Sequence, residues 1–145
     1  MATFLSDIAA TPARAPRFGG VIARRAKIQI PTGFVANDVL QFFQLPQGAI
    51  ILDGAVLTDD LGGGNMFYDL GYLGGTINGV PEDPNAFIDA GSGNTVSLTV
   101  FDEVTTMIDL GPLDAERPLA ATFTTVTTPT VGADVVCYAR YVLSA

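Results

Sequence analysis

The chain has 145 residues, enough for one domain with a proper core and too short for two comfortable ones. Nearly half the residues are apolar and 15% are charged, which excludes a disordered chain, and no apolar run is long enough to span a bilayer as a helix. The net charge of −8 argues against nucleic acid as the main partner, because phosphates would be repelled.

The first stretch, 1–19, reads as an extended arm, with 20–145 as the body. Pro12 and Pro16 break any helix, and MATFLSDIAATPARAPR lacks the cationic lead and unbroken apolar core of a signal peptide. Asp7 and the proline spacing also speak against an organelle transit segment. Residues 1–27 hold Arg14, Arg17, Arg24, Arg25 and Lys27 against Asp7 alone, a net of +4. The remainder holds Arg117 and Arg140 against fourteen acids, a net of −12. A basic arm on an acidic body predicts docking on an acidic surface or on a second copy. Phe4, Leu5 and Phe18 would be unburied on a free tail, so ordering on a partner is expected.

Eight strands are predicted, at 20–30, 38–45, 49–59, 65–73, 95–101, 104–110, 119–127 and 133–143, separated by Gly, Pro and Asn-rich turns. The pair at 38–60, turning at Pro46-Gln47-Gly48, has apolar residues in both parity sets. Leu40, Phe42, Ile50, Leu52 and Val56 fall in one set, and Phe43, Leu45, Ile51 and Leu57 in the other. Cover on both faces is therefore expected, one cover being the domain and the other a neighbouring chain. The final strand alternates cleanly, with Ala133, Val135, Cys137, Ala139, Tyr141 and Leu143 on one face. In the long connection at 74–94, Asp83 and Pro84 predict a short helix that Gly91 would end. No helical stripe exceeds two turns, so the fold is read as all-β: an antiparallel two-sheet β-sandwich, jelly-roll-like, with an extended N-terminal arm. The lack of Trp and of a Cys pair counts against an immunoglobulin-like sandwich.

Chemistry is sparse. Without histidine the commonest general base and metal ligand are missing, and Ser92 in Ala90-Gly91-Ser92-Gly93-Asn94 lacks the nucleophile-elbow spacing. Cys137 sits mid-strand on the apolar face and reads as an inert thiol. Asp59-Asp60 lack the spacing of a calcium loop, and adjacent side chains on an extended chain point apart, so they read as a polar strand end. Glu82-Asp83 and Asp102-Glu103 read as acidic turns, and Gly62-Gly63-Gly64 lacks the Lys of a phosphate loop. Arg24-Arg25 place one guanidinium on each strand face and are candidate inter-chain anchors.

The order of features resembles small structural proteins of tailed bacteriophages, of the head decoration or cement type. It is carried by VLQFFQLPQGA at 39–49, IILDG at 50–54, Asp59-Asp60, LGY at 70–72, DPNAFIDAG at 83–91 and RYV at 140–142. The resemblance implies a β-sandwich on the capsid exterior, commonly a trimer, that clamps neighbouring capsid subunits. Its partners would be the major capsid protein and copies of itself, with no cofactor, metal, nucleic acid or membrane, and its place the virion, assembled in the host cytoplasm. On this reading Phe4, Leu5, Ile8, Arg14, Arg17, Phe18, Arg24 and Arg25 contact capsid or neighbouring subunits, and Phe42, Phe43 and Leu45 form the oligomer interface. A carbohydrate-binding module of a head fibre or tail is the second reading, with Tyr68, Tyr72, Tyr138 and Tyr141 as its aromatic candidates. A cupin-like enzyme is disfavoured by the missing histidines.

Overall fold

The structure, a computed structural model, describes residues 1–6, 8–9, 20–74, 82–103 and 111–144. It is all-β, with two sheets packed face to face. In chain order the strands are β1 (Thr3–Leu5), β2 (Ile22–Gln29), β3 (Val39–Leu45), β4 (Ala49–Thr58), β5 (Met66–Tyr72), β6 (Asp83–Ser92), β7 (Ser97–Val100), β8 (Arg117–Val126) and β9 (Asp134–Leu143). One sheet runs β1-β3-β8-β5-β6 and the other β2-β9-β4-β7. The pairs β2–β9, β3–β8, β4–β7 and β5–β6 nest about the β5–β6 connection, as if one long hairpin had been rolled up. That nesting is the jelly-roll order expected from the sequence.

The alternation of β9 holds along its length. Val135, Cys137, Ala139 and Tyr141 are buried, and β2 pairs with this strand over eight residues without a register shift. β3 and β4 do not pair as predicted: the turn at Pro46–Gly48 carries the chain from one sheet to the other, and each strand departs from its predicted parity at a bulge, at Gln41/Phe43 in β3 and at Ile51/Asp53 in β4. One extra residue reverses the alternation beyond it. Leu40 pairs with Ala121 and Phe43 with Leu119, so two residues of opposite predicted parity face the same core. On β4 the shift leaves Leu52 and Leu57 exposed while Ile51 and Val56 are buried. The helix expected at 83–91 is instead β6: Ala86, Phe87 and Ile88 are all buried, and pairing with β5 overrides the capping signals. The predicted strand at 104–110 lies outside the described residues.

The sheets leave two seams. At one, Arg24 of β2 donates from Nη1 to the Gln44 carbonyl at 3.0 Å and lies 5.0 Å from the Phe43 ring centre. The first residues of the chain cover this seam. β1 pairs in parallel with β3, Phe4 lies 5.9 Å from Phe34, and Ser6 and Ala9 are buried. At the other seam Phe87 stacks on Phe101, with centroids 5.2 Å apart and planes at 12°. Gly54 is needed there: a Cβ would lie 2.4 Å from the Phe101 ring and 2.5 Å from the Tyr138 carbonyl oxygen. A Gly54→Ala protein should lose about 1–3 kcal/mol through this overpacking, measured by urea unfolding; an unchanged midpoint would show that the stack yields freely.

The N-terminal strand is fastened by Asp38, which is 2% exposed. Its carboxylate accepts the Ala2 N–H on one oxygen and the Val35 N–H on the other, both at 2.9 Å. Replacing Asp38 by Ala leaves both donors without their acceptor and should cost about 1–3 kcal/mol. Hydrogen exchange at residues 3–6 should accelerate while the β3–β8 amides stay protected; retained protection at 3–6 would show that β1 needs no clamp.

Candidate functional site

The outward face of the four-stranded sheet divides into two regions. Along β7 and its neighbour β4, Leu98 stands opposite Leu57 and Val100 opposite Ala55. Leu98 is 66% exposed and Val100 58%. On β9, Val136 and Tyr138 continue these rows, the latter 38% exposed. The opposite margin, on β2, carries Arg25 and Lys27, both exposed. Alternation on a half-buried sheet puts polar groups outward, so an outward row of Leu and Val needs another explanation than the fold.

One row along the strands from Ala55 and Tyr138, at the end of the apolar region, lies the Asp53–Arg140 pair. Arg140 Nε donates to Asp53 Oδ1 at 2.7 Å, and its Nη2 donates to the other oxygen, a two-pronged match. The Arg140 hydrogen bond holds the Asp53 carboxyl below the usual carboxylate range. Both side chains are nearly half exposed, so solvent screens the pair and its main effect is to order this face. With Gly54, Ala55, Val100, Phe101 and Tyr138 it lines an open groove of about 310 Å³.

The sequence-predicted residues separate into three groups. Arg24 and Arg25 do point to opposite faces, Arg24 into the seam and Arg25 outward. Leu5 is 53% exposed, while Phe4 and Ile8 are half-buried against this chain's own core, so the described part of the arm packs on the body. Arg14, Arg17 and Phe18 lie outside the described residues. Phe42, Phe43 and Leu45 require a correction: each is 0% exposed, enclosed by the chain's own core and offering no surface to a neighbour. Sequence reasoning missed Leu98 and Val100, because an apolar residue every second position reads as the buried face.

The tyrosine platform disperses as well. Tyr68, Tyr72 and Tyr141 are buried, and burial pushes the Tyr68 phenol up to about 12. Tyr138 alone among the four is exposed. Cys137 is buried in the core, and burial pushes its thiol up, away from reactivity. Asp59 accepts the Asp134 N–H at 3.0 Å and Asp60 the Gly62 N–H at 3.2 Å, so the two carboxylates serve separate turns. Among the described residues no three acidic or cysteine side chains gather as metal ligands.

Three solved structures share this fold over nearly the whole chain. A chain of the capsid of Ralstonia phage GP4 superposes with a TM-score of 0.83 at 19% identity, covering 99% of each chain. A chain of the Cyanophage Pam1 capsid asymmetric unit gives 0.64 at 15% identity, covering 93% of this chain and 95% of that one. A chain of the acidic stable capsid of Helicobacter pylori bacteriophage KHP30 gives 0.52 at 10% identity, covering 88% and 95%. At these identities the likeness is one of fold. No protein-family model matches the chain, and no curated protein sequence does.

The Asp53–Arg140 pair makes a pH-dependent prediction. The folded carboxyl titrates below its unfolded value, so the pair's stabilisation is whole above about pH 4 and is lost as pH falls through the folded value. Carbon-detected NMR titration should place the Asp53 midpoint below that of a free aspartate, and Arg140→Gln should return it to the ordinary value. A midpoint unmoved by that substitution would mean Arg140 is not the cause.

Proposed function

We propose that this chain is a non-enzymatic structural protein of a tailed-phage virion. It binds the outside of the capsid and stabilises the shell by bridging capsid subunits, as a trimer. The observation that carries the reading is the fold shared end to end with a chain of a phage capsid, at 99% coverage of both chains. The outward Leu98 and Val100, the Tyr138 beside them and the division of charge along the sequence support it, since these are features of a surface made to be covered.

Shell contacts of this kind are individually weak and act through repetition by symmetry. On this reading the basic arm supplies the capsid contact. Arg14, Arg17 and Phe18 contact the shell, together with the exposed Leu5. Arg24 stays within the body, where its guanidinium fastens the seam. Arg25 faces outward and remains open to another subunit.

Co-sedimentation with capsids lacking this protein tests the proposal. The full chain should saturate a fixed number of sites and appear as density on the outer surface by electron cryo-microscopy. Arg14→Glu with Arg17→Glu should weaken binding at least ~10-fold, the loss of about 1.4 kcal/mol, without changing the melting of the body. A chain that stays in the supernatant, or is found inside the shell, would overturn the reading.

A further inference from the structure

We propose that the two seams of the sandwich are the two halves of one contact: the β2 edge of one copy docks on the β6–β7 edge of the next. This deepens the trimer reading and rests on it, naming the surfaces by which copies meet.

The β2 edge is cationic. This strand is the outer member of its sheet and holds Arg24, Arg25 and Lys27 with no acid. Arg24 is turned inward, and Lys27 reaches Asp134 at 3.5 Å. Arg25 makes no ion pair with any described residue. Beside these cations opens a cleft of about 270 Å³ lined by Ser6, Ile8, Arg25, Ala26 and Lys27. Ile8 therefore gives the cationic edge an apolar element.

The opposite edge has the complementary make-up. Residues 82–103 hold five acids and no Lys or Arg. Asp89 and Asp102 are exposed and form no ion pair with any described residue. The Asp102 N–H donates to the Phe87 carbonyl at 3.0 Å, which sets Asp102 beside β6 two residues from Asp89. The exposed Leu98 and Val100 of β7 adjoin them. Cations beside an apolar cleft thus face acids beside apolar side chains.

Charge selects the orientation. A two-fold contact through either edge would set the cationic patch or the acidic patch against its own copy, and like charges across an interface are strongly disfavoured. Only the head-to-tail arrangement pairs opposite signs. Such a contact closes into a ring when the rotation between copies permits and otherwise continues as an open filament.

Light-scattering mass of the full chain is the test. Wild type should run at a multiple of 15.1 kDa. Arg25→Glu with Lys27→Glu should weaken association at least ~100-fold and give monomers, as should Asp89→Lys with Asp102→Lys. The protein with all four changes has both edges reversed and should regain the wild-type mass. A monomeric wild type, an assembled single-edge variant or a monomeric four-fold variant would each overturn the contact. Capsid co-sedimentation of the same proteins separates this from the shell reading. A monomeric wild type that still binds capsids overturns only the head-to-tail contact; if reversing Arg25 and Lys27 also lowers its occupancy, the β2 edge faces the capsid instead of a copy. An assembled wild type that ignores capsids keeps the contact and overturns the shell role.

Discussion

Two stacked sheets leave their core open to water along both seams, and this chain closes each seam differently. On the β2–β3 side the plug is borrowed from the start of the sequence. β1, Ser6 and Ala9 are laid along β3 and tied down by the buried carboxylate of Asp38. On the β6–β7 side the plug is a pair of stacked phenyl rings seated over Gly54. Aromatic contacts run inward from both: Phe4 to Phe34 to Phe123 to Tyr68 from one seam, and Tyr72 to Phe87 to Phe101 at the other. Such rings bring large buried area and a preferred geometry, so the seams are as well defined as the centre.

The parts legible in the sequence are those where alternation runs unbroken. β9 is the clearest: its pairing with β2 never slips, and each inward residue falls at the expected position. Where the register shifts, the same counting rule misleads. The apolar residues of β3 and β4 looked two-faced because the phase was carried straight through Phe42 and Leu52, whereas a bulge at each point resets it. Phe42, Phe43 and Leu45 are covered by the chain's own core and need no neighbouring chain.

β6 was hidden for a different reason. Asp83-Pro84 carries the local signature of a helix start, and three successive buried residues show no period of two. Pairing with β5 decides its structure, through two register shifts that no local pattern encodes. β1 was hidden because three residues carry too little pattern, and its order depends on an aspartate thirty-six positions away. The candidate surface was legible only in part. The opposite faces of Arg24 and Arg25 follow from period two alone, whereas the outward Leu98 and Val100 contradict the rule that apolar residues turn inward.

Those two features, an apolar row in the wrong place and a charge division along the chain, converge in the folded molecule. The fold carries the early cations of β2 to one seam and the acids at 82–103 to the other. A chain of net charge −8 repels its own copies at long range, and within about 8–10 Å at physiological salt that repulsion gives way to the local pattern of charge. On the proposed contact, one positive and one negative margin attract in a single orientation, while the apolar row supplies the close-range area that screened charges cannot. Acidic surfaces keep unassembled chains apart, and opposite margins direct how they meet. On the proposed shell role both properties are used: the chain stays dispersed until a template presents its sites and then tiles in one register.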